Sequence, residues 1–459
     1  MRLRFLSCSS LALMTAVGLA ACGQDPPEAS TSAGGDDDGA ADTSAGADGT
    51  GSPPGDGGQG SGDATGATNP GTGGESTAAA DDSDDDSNDD GPPPIQLDVG
   101  SIPDSPPPVC GGENNGELSL SYIWIANSAQ GTISKLDTQT VTEVGRYQAK
   151  PFNGDPSRTS VNLVGDVAVA NRNGGVAKFW ANPDHCQNSN GIPGIQTSSG
   201  AADVLGWGED DCLAWYTELS CSSNRPVAWT RGVFNEATCT YEDMDLWTAC
   251  DNQVLLLDGE TGAIEETVII PNGSAFVYGG AADADGNFWG LDTGGSQSLF
   301  RVDFNTQMFE SWGLPGNGGY GITVDSLGRP WVCGGGSVSR FDLMSHTWDS
   351  AGIGGGIGGC MTDGDELIWH SNNSGLLMGF NIDTLNIDEQ IQLPEYVHGV
   401  SVDFEGHVWG VTFAGSNAYR ANVTTGAIDT YSGLIGAYTY SDMTGHALST
   451  VGGGGIPQG

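Results

Sequence analysis

The sequence predicts an all-β protein: a β-propeller of seven blades, each of four antiparallel strands, closed by a C-terminal strand and preceded by a long disordered tether. Three observations predict it. First, Trp247, Trp289, Trp331, Trp369 and Trp409 recur about 40 residues apart, the spacing of four-stranded blades. Second, the stretch GYGITVDSLGRPWVCGGGSVSRFD (319–342) shows what recurs. An alternating strand (Ile322, Val324) leads into a turn from Asp325 to Gly328. A second strand is centred on Trp331, and a Gly-rich hairpin precedes a third strand ending at Phe341. Third, AYTYSDMTGHALS (437–449) repeats the opening of that unit, with Asp442 on Asp325 and Gly445 on Gly328. The first unit has no room for an innermost strand, so the chain ends are expected to meet in one blade, which leaves no open sheet edge.

The units follow in order. Copies are centred on Trp124 and on Ala168, where GDVAVANRNGG lines up with GNFWGLDTGG and alanine takes the tryptophan position. Gly279 to Gly286 with Trp289, and Gly399 to Gly406 with Trp409, are clear copies; Gly359 to Asp365 with Trp369 is degenerate. The count is seven, or eight if HALST (446–450) forms a second strand. A β-sandwich would place turns every 8–12 residues or so, too short for this period.

Residues 1–21 read as an export signal, with Arg2 and Arg4 before an apolar run. Leu19-Ala20-Ala21-Cys22 resembles a bacterial lipobox, which implies lipidation of Cys22 and a membrane anchor, the alternative being an ordinary secretory signal. Gly23 follows the cysteine instead of an inner-membrane retention aspartate, so the expected location is the cell envelope, at the outer membrane. Residues 22–112 form the linker, rich in Gly, Ser, Pro and Asp, with runs such as DDSDDDSNDD. So few apolar residues cannot offset chain entropy, and the like charges repel. The propeller is assigned to 113–459, with a cysteine-rich, loop-like insertion at about 182–228. A net charge of -45 repels nucleic acid and anionic surfaces, and a monomer is expected.

Apart from Cys8 and Cys22, eight cysteines remain, an even set that reads as disulfides in an exported chain. The expected pairs are Cys186 with Cys212 across the insertion, and Cys333 with Cys360 between neighbouring blades.

Chemistry is sought where inner strands open, at the mouth of the central channel. Aligning the units puts Arg158, Arg231, Tyr278, Tyr320 and His398 there. They read as a polar, aromatic and cationic ligand site, or as loop residues that cap the channel. A weak calcium reading falls on Asn188 and Asn190 beside Asp210, although Thr197 stands where a calcium loop needs glutamate. An Asn-Gly turn is the simpler account.

The pattern hydrophobic-G-[IV]-x-[VA]-D-x-x-G-x-x-W, seen in YGITVDSLGRPW and VHGVSVDFEGHVW, resembles virginiamycin B lyase and related NHL-type propellers over residues 118–449. The resemblance implies a lactone-opening elimination by a histidine base, with glutamates and a magnesium ion. His398 in VHGV is similar to the catalytic histidine position. Thr412 and Tyr396 occupy the positions where acids would be required. The expectation is therefore a lipid-anchored propeller that binds a ligand or an envelope protein without catalysis. A streptogramin lyase-like or lactonase-like enzyme at His398, with calcium or magnesium, and a purely structural surface protein are the alternatives.

Overall fold

The computed structural model describes residues 121–271, 275–316 and 318–453. The signal, Cys22, the linker and Cys110 lie outside them. Within them the chain forms a ring of seven sheets. Blades 2 to 7 begin at Pro156, Asn224, Val277, Gly321, Cys360 and Val397, and each holds four antiparallel strands. In all but blade 3 these strands are consecutive in the chain. Blade 1 has the three regular strands Tyr122–Asn127, Thr132–Asp137 and Thr142–Gln148.

The C-terminal segment fills the innermost place of blade 1. Asn127 bridges Ala437, the Tyr438 amide donates to the Ala126 carbonyl (3.0 Å), and the Trp124 amide donates to the Met443 carbonyl (2.9 Å). On either side it is held by blade 2, where the Thr159 amide donates to Ser441 Oγ (3.1 Å), and by blade 7, where Thr444 Oγ1 donates to the Val402 carbonyl. HALST is not an eighth blade's strand: His446–Thr450 is a short helix, and the ring has seven blades.

The recurring motif has a local physical cause. Asp325 Oδ1 accepts from the amides of Leu327 and Arg329 (3.0 and 2.8 Å), which folds the turn. Its Oδ2 accepts from the Trp331 indole (2.9 Å), so one carboxylate ties turn to strand. Asp283 with Trp289 and Asp403 with Trp409 repeat this, each indole bond being 2.8 Å. The glycine three residues after each aspartate sits at positive φ (Gly286 81°, Gly328 78°, Gly406 78°), where a side chain is strained. The first motif glycine answers to crowding instead. A Cβ on Gly399 would come within 2.2 Å of the Thr439 carbonyl of the neighbouring inner strand.

Every predicted tryptophan position, Ala168 included, lies on the second strand of its blade and is buried between blades. Outer strands such as Ile264–Ile269 are largely exposed, and so they carry little pattern. Three disulfides join described residues: Cys186–Cys212 and Cys333–Cys360, as expected, and Cys221–Cys250. Cys239 is disulfide-bonded as well. Such crosslinking belongs to proteins that mature in oxidising compartments.

The assigned insertion at 182–228 is not one loop. Leu213–Thr217 is the outer strand of blade 2 and Asn224–Trp229 is the inner strand of blade 3. Only the segment between Phe179 and Leu213 is extra to the blade, and Cys186–Cys212 staples it. A second insertion, the hairpin Val233–Asn235 with Thr240–Glu242, separates the first two strands of blade 3.

Candidate functional site

The two ends of the channel are built differently. At the end where the aspartate turns lie, the C-terminal helix acts as a cork. Asp442 Oδ2 accepts from the Leu448 amide (3.0 Å), and Arg231 Nη1 donates to the Val451 carbonyl (2.8 Å). Leu448 and Val451 pack on Val227, Ile322 and Val324 of two inner strands, those of blades 3 and 5. A cavity of about 40 Å³ remains beneath them, lined by Val227, Gly280, Ile322, Met361, Asp442 and Leu448 among others, room for no more than a few waters.

The other end gathers Tyr278 and Tyr320 from the openings of blades 4 and 5, His398 from blade 7, and Tyr438 and Tyr440 from the closing segment. The phenol oxygens of Tyr278, Tyr320 and Tyr438 are mutually hydrogen-bonded, 2.7 Å from Tyr278 to each of the other two, with a direct contact between Tyr320 and Tyr438. Arg158 lies beneath, its guanidinium 3.0 Å from the Tyr440 ring and 5.0 Å from that of Tyr278, and its Nη2 donates to the Tyr278 carbonyl (3.0 Å). Arg225 stands 4.7 Å over Tyr278, and Arg172 stands 4.1 Å over Tyr438.

Arg158, Tyr278, Tyr320 and His398 therefore come together as the repeats indicate, and Arg231 does not. Strand register explains this. Trp247 pairs with Ala228 as Trp289 pairs with Ala281, which makes Arg225 the counterpart of Tyr278. The hairpin inserted after the inner strand displaces the count, and Arg231 falls at the corked end. Arg172 sits in a hairpin turn outside the repeated motif. The signal for Tyr438 and Tyr440 was the closing segment itself, two aromatics in a stretch aligned as an inner strand.

The hydrogen-bond order fixes the His398 tautomer. Tyr396 Oη donates to the Ile357 carbonyl, so His398 Nδ1–H donates to Tyr396 (2.7 Å), and Nε2 accepts from Tyr320 (2.8 Å). Burial, and then the charges of Arg158, His370 and Arg172, push its pKa down to about 3. Burial raises Tyr278 to about 12, and raises Tyr320 as well. For Tyr438 burial works in the same direction, but Arg158 and the hydroxyls of Tyr278 and Tyr320 outweigh it and hold the phenol below its ordinary value.

The magnesium that the lyase resemblance implies does not fit. Thr412 Oγ1 donates to the Asn417 carbonyl (2.9 Å), Tyr396 is a phenol, and the charged groups acting on His398 are arginines and a histidine. Calcium is no better served in the insertion. Asn188 Oδ1 and Asn190 Oδ1 accept from the Gly191 and Ile192 amides (3.2 and 2.8 Å), closing an Asn-Gly turn. Asp210 is occupied by Ser198 and the Cys212 amide. Asp403, Glu405 and His407 converge, but Asp403 is committed to its turn and to Trp409.

No protein-family model matches the chain, and no curated protein matches it. Solved structures do. A streptogramin B lyase is 17% identical, with 64% of this chain and 87% of that chain covered and a TM-score of 0.47. Virginiamycin B lyase from Staphylococcus aureus is 17% identical over 42% of this chain and 68% of that one, with a TM-score of 0.37. The WD40 repeats of RRP9 are 12% identical over 63% and 83%, with a TM-score of 0.48. These structural neighbours are β-propellers, as the strand order of the chain is.

Proposed function

We propose that this chain is an exported, lipid-anchored propeller that binds a ligand or an envelope partner at the open mouth of its channel, without catalysis. The observation that carries the reading is the asymmetry of the channel. One end is corked by the C-terminal helix, while the other collects phenols, an imidazole and guanidinium groups from six blades. Binding sites are concave, largely preformed places where a few polar groups converge on apolar walls. Cys22 and the tether supply the anchor in this reading, and the disulfides accord with export.

The lyase reading keeps one point in its favour, the position of His398 at the mouth. Against it stands the hydrogen bonding. A general base needs a free lone pair near the proton it removes and a pKa near the working pH. Here Nε2 is occupied by Tyr320 and basicity is strongly reduced. The test is a thermal-shift screen of metabolites and cations on wild type and Tyr320→Ala, beside a magnesium-dependent streptogramin B elimination assay on wild type and His398→Ala. Stabilisation by a ligand, lost in Tyr320→Ala, with no turnover in either assay arm, supports binding. Turnover that disappears with His398 overturns it. Cell fractionation of Cys22→Ser tests the anchor, the expected result being loss from the membrane fraction.

A further inference from the structure

We propose that the channel mouth is a receptor site for a small multivalent oxyanion, a carboxylate or a phosphate, gripped by Arg158, Arg172 and Arg225; this rests on the reading of the mouth as a ligand site. The chain holds only 14 Lys and Arg against 59 Asp and Glu, yet three of its arginines converge on one tyrosine cluster. Among the described residues no carboxylate lies within ion-pair distance of Arg158 or Arg225, and Arg172 has Asp155 alone (2.7 Å). In so acidic a protein, cations held apart from carboxylates await an anion from elsewhere.

The hydrogen-bond inventory points the same way. Native proteins leave few buried polar atoms unpaired, because a donor taken out of water without a partner loses its hydrogen bonds uncompensated. Of fifteen such side-chain atoms among the described residues, six belong to this cluster: Ser157 Oγ, Arg158 Nε, Arg172 Nε, Arg225 Nε and Nη1, and Tyr440 Oη. All six can donate. Arg158 is 1% exposed and Tyr440 4%, so water does not satisfy them. An oxyanion accepts several such bonds at once, and a guanidinium fork matches carboxylate or phosphate geometry in pairs. Arg172 and Arg225 are half-buried at the rim, where rotation of their long side chains presents both forks to an entering ion. Arg158 is the fixed floor beneath them. Tyr438, an acid already strengthened by Arg158, registers the same positive field.

The experiment is calorimetric titration of the full-length chain, at constant ionic strength, with citrate, with inorganic phosphate and with the uncharged propane-1,2,3-tricarboxamide. Wild type is compared with Arg225→Gln, Arg225→Lys and the remote control Arg301→Gln, and thermal melts verify folding. Saturable binding of citrate or phosphate, weakened at least tenfold in Arg225→Gln, partly restored in Arg225→Lys and unchanged in Arg301→Gln, is expected, and whichever anion binds identifies the source. Anion binding that is equal in Arg225→Gln overturns the site. Binding of the tricarboxamide, without either anion, overturns the anion while leaving the mouth a ligand site. No binding by any ligand tested overturns both.

Discussion

The corked end and the open end of the channel are lined by the same inner strands, yet they answer to opposite rules. At the corked end the carboxylates have local duties: Asp325 satisfies two amides and an indole within six residues, and Asp442 caps the helix that seals the ring. At the open end, long cationic side chains lie over tyrosine rings with donors unspent. The difference teaches where stability and where function reside. Groups satisfied inside the chain serve folding, and the unspent donors of the mouth lie where the proposed ligand would bind.

The comparison can be broken first at the cork. A chain ending at Gly445 removes Leu448 and Val451 from the inner strands of blades 3 and 5; a loss of about 5 kcal/mol is expected from burial of this size, read by urea denaturation. An unchanged midpoint would mean the ring closes without its plug. Next is Trp331→Ala, which empties a fully buried place between blades and is expected to cost about 3–5 kcal/mol.

A pH experiment follows. His370 is fully buried, and desolvation lowers its pKa to about 4, against 6.5 for an ordinary histidine. Between those values the unfolded chain binds the proton more readily than the folded one. Its contribution is therefore intact above about pH 6.5 and declines as pH falls toward 4, by about 3 kcal/mol in all. His370→Gln should flatten that part of the stability profile, and a slope that stays the same would assign acid sensitivity to other groups.

The smallest effects are expected at the mouth. Tyr278→Phe removes one hydroxyl from a network with other bonds and should cost no more than about 1 kcal/mol. Arg225→Met removes a guanidinium with two unpaired buried nitrogens, and a rise in melting temperature of about 1–4 °C is expected. If either substitution destabilises as strongly as Trp331→Ala, the mouth is a structural cap and the contrast between the ends disappears.

Much of the ring was readable from the chain because its determinants are local. The Asp-x-x-Gly-x-x-Trp bonds close within six residues, so they leave the same imprint wherever they recur. Closure by the C-terminal segment was readable through Asp442 and Gly445, but not the helix after them, since HALST alternates like a strand. The outer strand Leu213–Thr217 was read as insertion because outer strands face solvent and obey no motif. At the mouth, Arg158, Tyr278, Tyr320 and His398 could be found by counting from repeat landmarks. Arg225 could not, because the hairpin at 233–242 lengthens the count in blade 3 alone, and Arg172 belongs to a turn that each blade builds in its own way.

The short helix at the chain's end also decides traffic. With one aperture shut from within, a ligand bound as proposed would enter and leave by the same door, and two different guests could not occupy the channel from opposite sides. Exchange should then proceed by strict competition at a single doorway, with dwell time governed by the side chains that guard it.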